Sequence, residues 1–178
     1  EDTPQAIVLW HYLDTSNPHD SRLLDATVLF RGGAIASDGI PWSNPDGTLY
    51  LGEEWPLGPD KSSHPRSSGT FTRFLSKWVR ERQALPLLEA IEKCTLVPAR
   101  IMEKCSGAFA RKGRVQPGSD CDIVVFDPQR VRDRATFEEM QLPSEGMVHV
   151  LVNGEPVIRD GELLQDARPG RPLRSDPR

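Results

Sequence analysis

Residues 6–13 form an almost unbroken apolar run from Ala6 to Leu13, with β-branched and aromatic members. Such a run predicts a strand buried on both faces, as in a parallel sheet. Asn17 then supplies a cap and Pro18 a first helical position, predicting a short helix through about Leu29. Arg31-Gly32-Gly33 breaks that helix, and Ala34-Ile35-Ala36-Ser37 predicts a second short buried strand ending at Asp38-Gly39. Strand, helix and strand in this order make a βαβ unit. Parallel strands need neighbours and covering helices, so the unit implies membership of something larger.

Residues 39–69 are rich in Gly, Pro, Asp and Ser, interleaved with Trp42, Tyr50 and Trp55. A loop of that length is functional or disordered, and the aromatic residues favour an ordered, functional one. Helical spacing follows: Phe71, Phe74, Leu75, Trp78 and Val79 make one apolar face of a helix reaching about Arg82. Pro86 fits the first turn of a second helix with face Leu88, Ile91 and Thr95. Pro98 opens a third, with Ala99, Ile101 and Met102 available for packing.

From Lys112 the pattern turns to β. Asp122–Asp127 reads as a strand, and Val148, Val150 and Val152 alternate up to Asn153-Gly154, after which Val157-Ile158-Arg159 continues. Asn-Gly between two such runs is a strong hairpin signal, because both central residues take positive φ. The tail from Asp166 lacks a period and reads as an extended strap. The chain thus divides into an α/β portion, residues 1–110, and a small β portion, residues 111–178.

Composition narrows the function classes. The 22 basic and 26 acidic residues give a net charge of −4 without a basic block, which disfavours nucleic-acid binding. No apolar run reaches the ~18 residues of a membrane span, so no membrane partner is expected. Cys94, Cys105 and Cys121 are odd in number and lack metal-knuckle spacing. Reduced thiols and a cytoplasmic location are the expectation. The first residue is Glu rather than Met, and we expect that residue 1 is not the natural start.

Few residues carry candidate chemistry. Asp38 follows a run of small residues at the carboxyl end of a predicted strand, where α/β folds place reactive groups. The other reading is an Asp that merely shapes the turn. Arg66 lies near a predicted helix start, an unfavoured place for a cation. With Ser67, Ser68 and free helix N–H groups it would make a cradle for a carboxylate; a surface Arg paired with a loop acid is the alternative. His11 and His19 have no partner at metal-ligand spacing, and His149 is expected to face solvent. Nothing supports cysteine catalysis.

The combination of Gly33–Pro41 with His64–Phe71, followed by Lys112–Asp127, Arg134–Glu138 and Val152-Asn153-Gly154, resembles the N-acyl-D-amino-acid deacylases of the amidohydrolase superfamily. The tryptophan-bearing insertion between Asp38 and His64 looks closest to the D-glutamate deacylases. The resemblance covers nearly all of this chain but only about the C-terminal third of such a protein. It implies the last βα units of a (β/α)8 TIM barrel, followed by strands of a small β-sandwich.

It also implies a divalent metal, usually zinc, and a small N-acyl amino acid as substrate. Asp38 matches a proton-shuttling carboxylate beside the metal, and is itself a possible metal ligand. Arg66 matches the clamp on the substrate's α-carboxylate. His64, Ser67 and Ser68 are expected to line the pocket, with Trp42 or Trp55 against the acyl chain. The superfamily's His-x-His pair and its other metal histidines are absent from these 178 residues. The chain is therefore expected to need an N-terminal part of the same protein, and to be inactive alone. The alternative is a non-catalytic truncated chain or binding module.

Overall fold

The computed structural model describes residues 13, 14 and 16–174. The predicted strand at 6–13, Leu13 apart, and His11 lie outside the described residues. The rest is an α/β arrangement: helices in the first two thirds, then a small antiparallel sheet.

Helix α1 (Pro18–Val28) begins as its sequence dictates. Pro18 occupies the first turn and the Asn17 side chain accepts the Asp20 N–H at 2.9 Å. The chain after it departs from expectation. Residues 34–37 alternate in exposure yet belong to no strand; Ile35 N–H instead donates to Lys93 O at 3.0 Å. A strand needs a neighbouring strand to pair with, and among the described residues none pairs with this segment.

Helix α2 (Pro65–Phe74) runs into a π-helical turn, Leu75–Glu81, closed by an i→i−5 bond from Arg82 N–H to Lys77 O. Phe74, Leu75 and Trp78 are buried as predicted, whereas Phe71 is exposed. α3 (Leu87–Cys94) starts after Pro86 and α4 (Leu96–Met102) after Thr95. The predicted face of α3 is corrected: Leu88 is 79% exposed, while Ala90 and Lys93 are buried. Lys93 reaches the interior because its Nζ donates to the carbonyls of Phe30 and Gly33, so its charge is met by two acceptors. In α4, Ala99 packs inside, and Ile101 and Met102 stay exposed.

The β portion is a four-stranded antiparallel sheet in the order β1 (Ile123–Phe126), β2 (Met147–Val152), β3 (Glu155–Arg159), β4 (Glu162–Leu163). Asn153 (φ 50°) and Gly154 (φ 85°) form the predicted β2–β3 turn. Phe126 and Met147 pack on the cluster Phe74, Leu75, Trp78, Leu85, Ala90 and Val131, joining sheet and helices in one core.

Asp25 of α1 holds the π-helical turn through the Arg82 guanidinium and the Trp78 indole N–H. The Arg82 hydrogen bond keeps its carboxyl below the ordinary range. A lowered folded-state value means that the contribution is complete above the ordinary Asp value of about 3.9 and is lost as pH falls through the folded-state value. Chemical denaturation at a series of acid pH values should therefore find that Asp25→Asn flattens the acid limb of stability. An unchanged limb would contradict this.

Phe30, Leu51, Leu88 and Val115 are 68%, 83%, 79% and 87% exposed, and the outer edges of β1 and β4 pair with no other named strand. Apolar exposure of this kind favours association. Size-exclusion chromatography with light scattering should find the isolated 178-residue chain self-associated; a monomer across the concentration series would refute the expectation.

Candidate active site

Asp38 sits in the left-handed region, φ 46°, a conformation that Asp tolerates better than most side chains. Its side chain is 89% exposed, and Arg66 approaches it from the first turn of α2. Arg66 Nη2 lies 3.1 Å from Asp38 Oδ2, and Arg66 Nε donates to Asp38 O at 2.7 Å. The two residues singled out from the sequence are thus in direct contact, 28 positions apart. A guanidinium carries five N–H donors. One, Nε–H, is bonded to Asp38 O and Nη2 forms the ion pair with the carboxylate, so donors remain that can grip an incoming carboxylate.

His64 is the N-cap of α2: its Nδ1 accepts the Arg66 N–H at 3.1 Å. That leaves Nε2 as the protonated nitrogen of the neutral ring. The imidazole also packs edge-on against Phe137, with ring centroids 5.2 Å apart. Ser67 Oγ accepts the Ile40 N–H at 3.2 Å, and Ser68 Oγ donates to Met140 O at 2.8 Å. Both hydroxyls expected to line the pocket therefore have backbone partners.

Sequence reasoning missed a set of supports around α2. Ser63 Oγ donates to Ile40 O at 2.9 Å. Ser144 Oγ donates to Ser68 O at 3.1 Å and lies 2.7 Å from Thr72 Oγ. The two Ser144 pairs bridge segments more than seventy residues apart, and no local pattern marks them.

The loop at 39–64 is ordered by its own bonds. Ser43 pairs with both Leu49 and Ser62, and Tyr50 N–H donates to Trp42 O at 2.8 Å. Trp55 lines an open groove of about 880 Å³ with Met147, Ile158 and Leu163 of the sheet. His19 and His149 have local acidic partners, Asp20 and Asp160. Among the described residues no three His, Cys, Asp or Glu side chains come together to hold a metal. Asp38 supplies one carboxylate donor, which does not make a zinc site. No helix among the described residues is long and apolar enough to cross a membrane.

Residues 30–158 match the Amidohydrolase family, and the chain belongs to it. Within that family it is similar to enzymes named for D-amino-acid derivatives. An N-acyl-D-glutamate deacylase of Alcaligenes xylosoxydans xylosoxydans is 44% identical over 120 residues, 67% of this chain and 23% of the relative. A D-aminoacylase from the same organism is 35% identical over 157 residues, 78% of this chain and 31% of the relative. Among solved structures, the N-acyl-D-glutamate deacylase of Bordetella bronchiseptica, complexed with zinc and a phosphonate mimic of the tetrahedral intermediate, matches at TM-score 0.54 and 36% identity. That match covers 74% of this chain and 25% of the other. A D-aminoacylase structure described for its binuclear metal centre matches at TM-score 0.63 and 32% identity, over 83% and 26% of the two chains. The chain spans about a quarter of the length of the curated relatives it matches.

Proposed function

We propose that this chain is the C-terminal part of a metal-dependent hydrolase that cleaves N-acyl-D-amino acids, N-acyl-D-glutamate among them, to a carboxylate and a free D-amino acid. The observation that carries the reading is the Asp38–Arg66 contact: a proton-transfer group and a carboxylate grip on neighbouring surfaces. Residues 1–110 contribute the closing units of a (β/α)8 barrel, and residues 111–178 part of a β-sandwich. A divalent metal, with zinc the expected ion, requires ligands from other segments of a longer protein.

The chemistry assigned to this chain is binding and proton movement. Arg66 holds the substrate's α-carboxylate through its N–H donors not engaged by Asp38. Asp38 accepts a proton from the water that adds to the acyl carbon, then delivers it to the amide nitrogen as the C–N bond breaks. A carboxylate answers this task because it can take up the proton on either oxygen and release it again. The nitrogen leaves as a neutral amine rather than an amide anion.

The test is steady-state hydrolysis of N-acetyl-D-glutamate by the intact protein, with and without a chelator. Turnover lost on chelation and restored by zinc is the expected result. Arg66→Ala should raise KM by roughly 10-fold or more, the size expected when a charge-assisted grip on a carboxylate is removed. An unchanged KM would reject the clamp. A protein that binds no metal and turns over no N-acyl-D-amino acid would instead be the non-catalytic relative.

A further inference from the structure

We propose that the hydroxyls of Ser63 and Ser67 form a latch that positions Asp38 against Arg66; the inference rests on the deacylase reading above. The starting observation is the backbone at Asp38, whose φ of 46° lies where side chains other than Gly are disfavoured. Such a residue persists where its surroundings over-determine it. The surroundings here are hydrogen bonds on the residues that leave the turn. Asp38 O accepts from Arg66 Nε at 2.7 Å. Two residues on, Ile40 N–H donates to Ser67 Oγ at 3.2 Å and Ile40 O accepts from Ser63 Oγ at 2.9 Å. The two hydroxyls lie 3.0 Å apart.

Counting hydrogens closes the arrangement. Each serine has one hydroxyl proton. The Ile40 amide proton goes to Ser67 Oγ, the Ser63 hydroxyl reaches Ile40 O, and the Ser67 hydroxyl has two acceptors in reach, Ser63 Oγ at 3.0 Å and Ile40 O at 3.3 Å. Every donor has an acceptor, and both polar groups of Ile40 are held. Either serine can donate across the 3.0 Å contact between them, and each assignment keeps both hydroxyls on Ile40 or on one another.

Placement gives the latch its use. Ser67 follows Arg66 in the first turn of α2, so the residue that grips the turn and the residue that pairs with Asp38 ride on one rigid element. Ser63 closes the long loop just before the His64 cap. The carboxylate is thereby registered against the guanidinium although it is itself almost fully exposed. Ser67 is a positioning residue in this reading, acting through the backbone of Ile40 rather than on the substrate.

The test uses the intact protein, N-acetyl-D-glutamate, and the variants S67A, S67T and S63A, with D38N as the control for the deacylase reading. S67A should lower kcat roughly 10- to 100-fold, the range that small misplacements of a reacting group produce, with KM little changed. S67T keeps the hydroxyl and should recover most of the loss; S63A should fall between S67A and the parent. A rise in KM at unchanged kcat would make Ser67 a substrate contact and overturn the latch, as would parental kcat in S67A. Crystal structures of the parent and S67A read the same question without turnover. Departure of Asp38 from the left-handed region, or opening of the Asp38–Arg66 pair, supports the latch; both unchanged overturns it. If the parent is as inactive as D38N, the deacylase reading fails while the structures still decide the latch. If S67A does not fold, S63A decides by the same two readouts.

Discussion

Asp38→Asn in the intact protein should abolish hydrolysis, lowering kcat by at least the 10²- to 10⁴-fold that positioned proton transfer contributes, while KM changes little. The substitution is chosen for what it leaves intact. Asn tolerates the left-handed backbone that Asp38 adopts, φ 46°, as readily as Asp does. Its backbone carbonyl still accepts from Arg66 Nε, and its side-chain oxygen can still accept from the guanidinium. What disappears is the carboxylate that takes up and releases the proton in the proposed reaction. A matching melting temperature in parent and variant would separate this loss from unfolding. Turnover within a few-fold of the parent would remove Asp38 from the mechanism.

Trp78→Ala should destabilise the protein by roughly 3–5 kcal/mol, the usual cost of emptying a buried aromatic site. Trp78 is 7% exposed and lies in the core cluster beside Phe74, with ring centroids 6.2 Å apart. Its indole N–H donates to Asp25 at 3.0 Å, and the Arg82 guanidinium lies 5.9 Å from the ring. One side chain therefore ties α1 to the π-helical turn that continues α2, the helix bearing Arg66. Trp78→Phe keeps most of the apolar volume and loses the donor, so about 1 kcal/mol of the loss should be traceable to the hydrogen bond. Denaturant unfolding of the three proteins makes the comparison. A Trp78→Ala loss below that of Trp78→Phe would show that packing is not what this residue contributes.

Both predictions depend on contacts that differ greatly in how visible they are along the chain. Asn17 and Pro18 announced α1, and Asn153-Gly154 announced the β2–β3 turn, because caps and turns are settled by residues within a few positions of one another. The buried face of α2 and its continuation was legible for Phe74, Leu75 and Trp78 for the same reason, helical spacing being local. Leu88 misled because an apolar residue on a helix is inside only if another element covers it, and Ala90 and Lys93 occupy the covered side instead. Lys93 could not be foreseen as buried, since its acceptors, Phe30 O and Gly33 O, belong to a segment sixty residues earlier.

The candidate site divides along the same line. Sequence alone determined that an Asp would end a run of small residues and that an Arg would stand in the first turn of a helix after a long aromatic loop. Family membership was legible in those two stretches and in the β-rich segment after Lys112. Only the tertiary structure decided that the two charges meet and that Ser67 turns to the Ile40 backbone. It also decided that Ser144 and Met140 bond to Ser68 of α2, and that residues 34–37 join no strand. The physical reason is range. Dihedral preference and side-chain periodicity act over a few residues, whereas the meeting of two charges depends on how distant segments fill space against a common core.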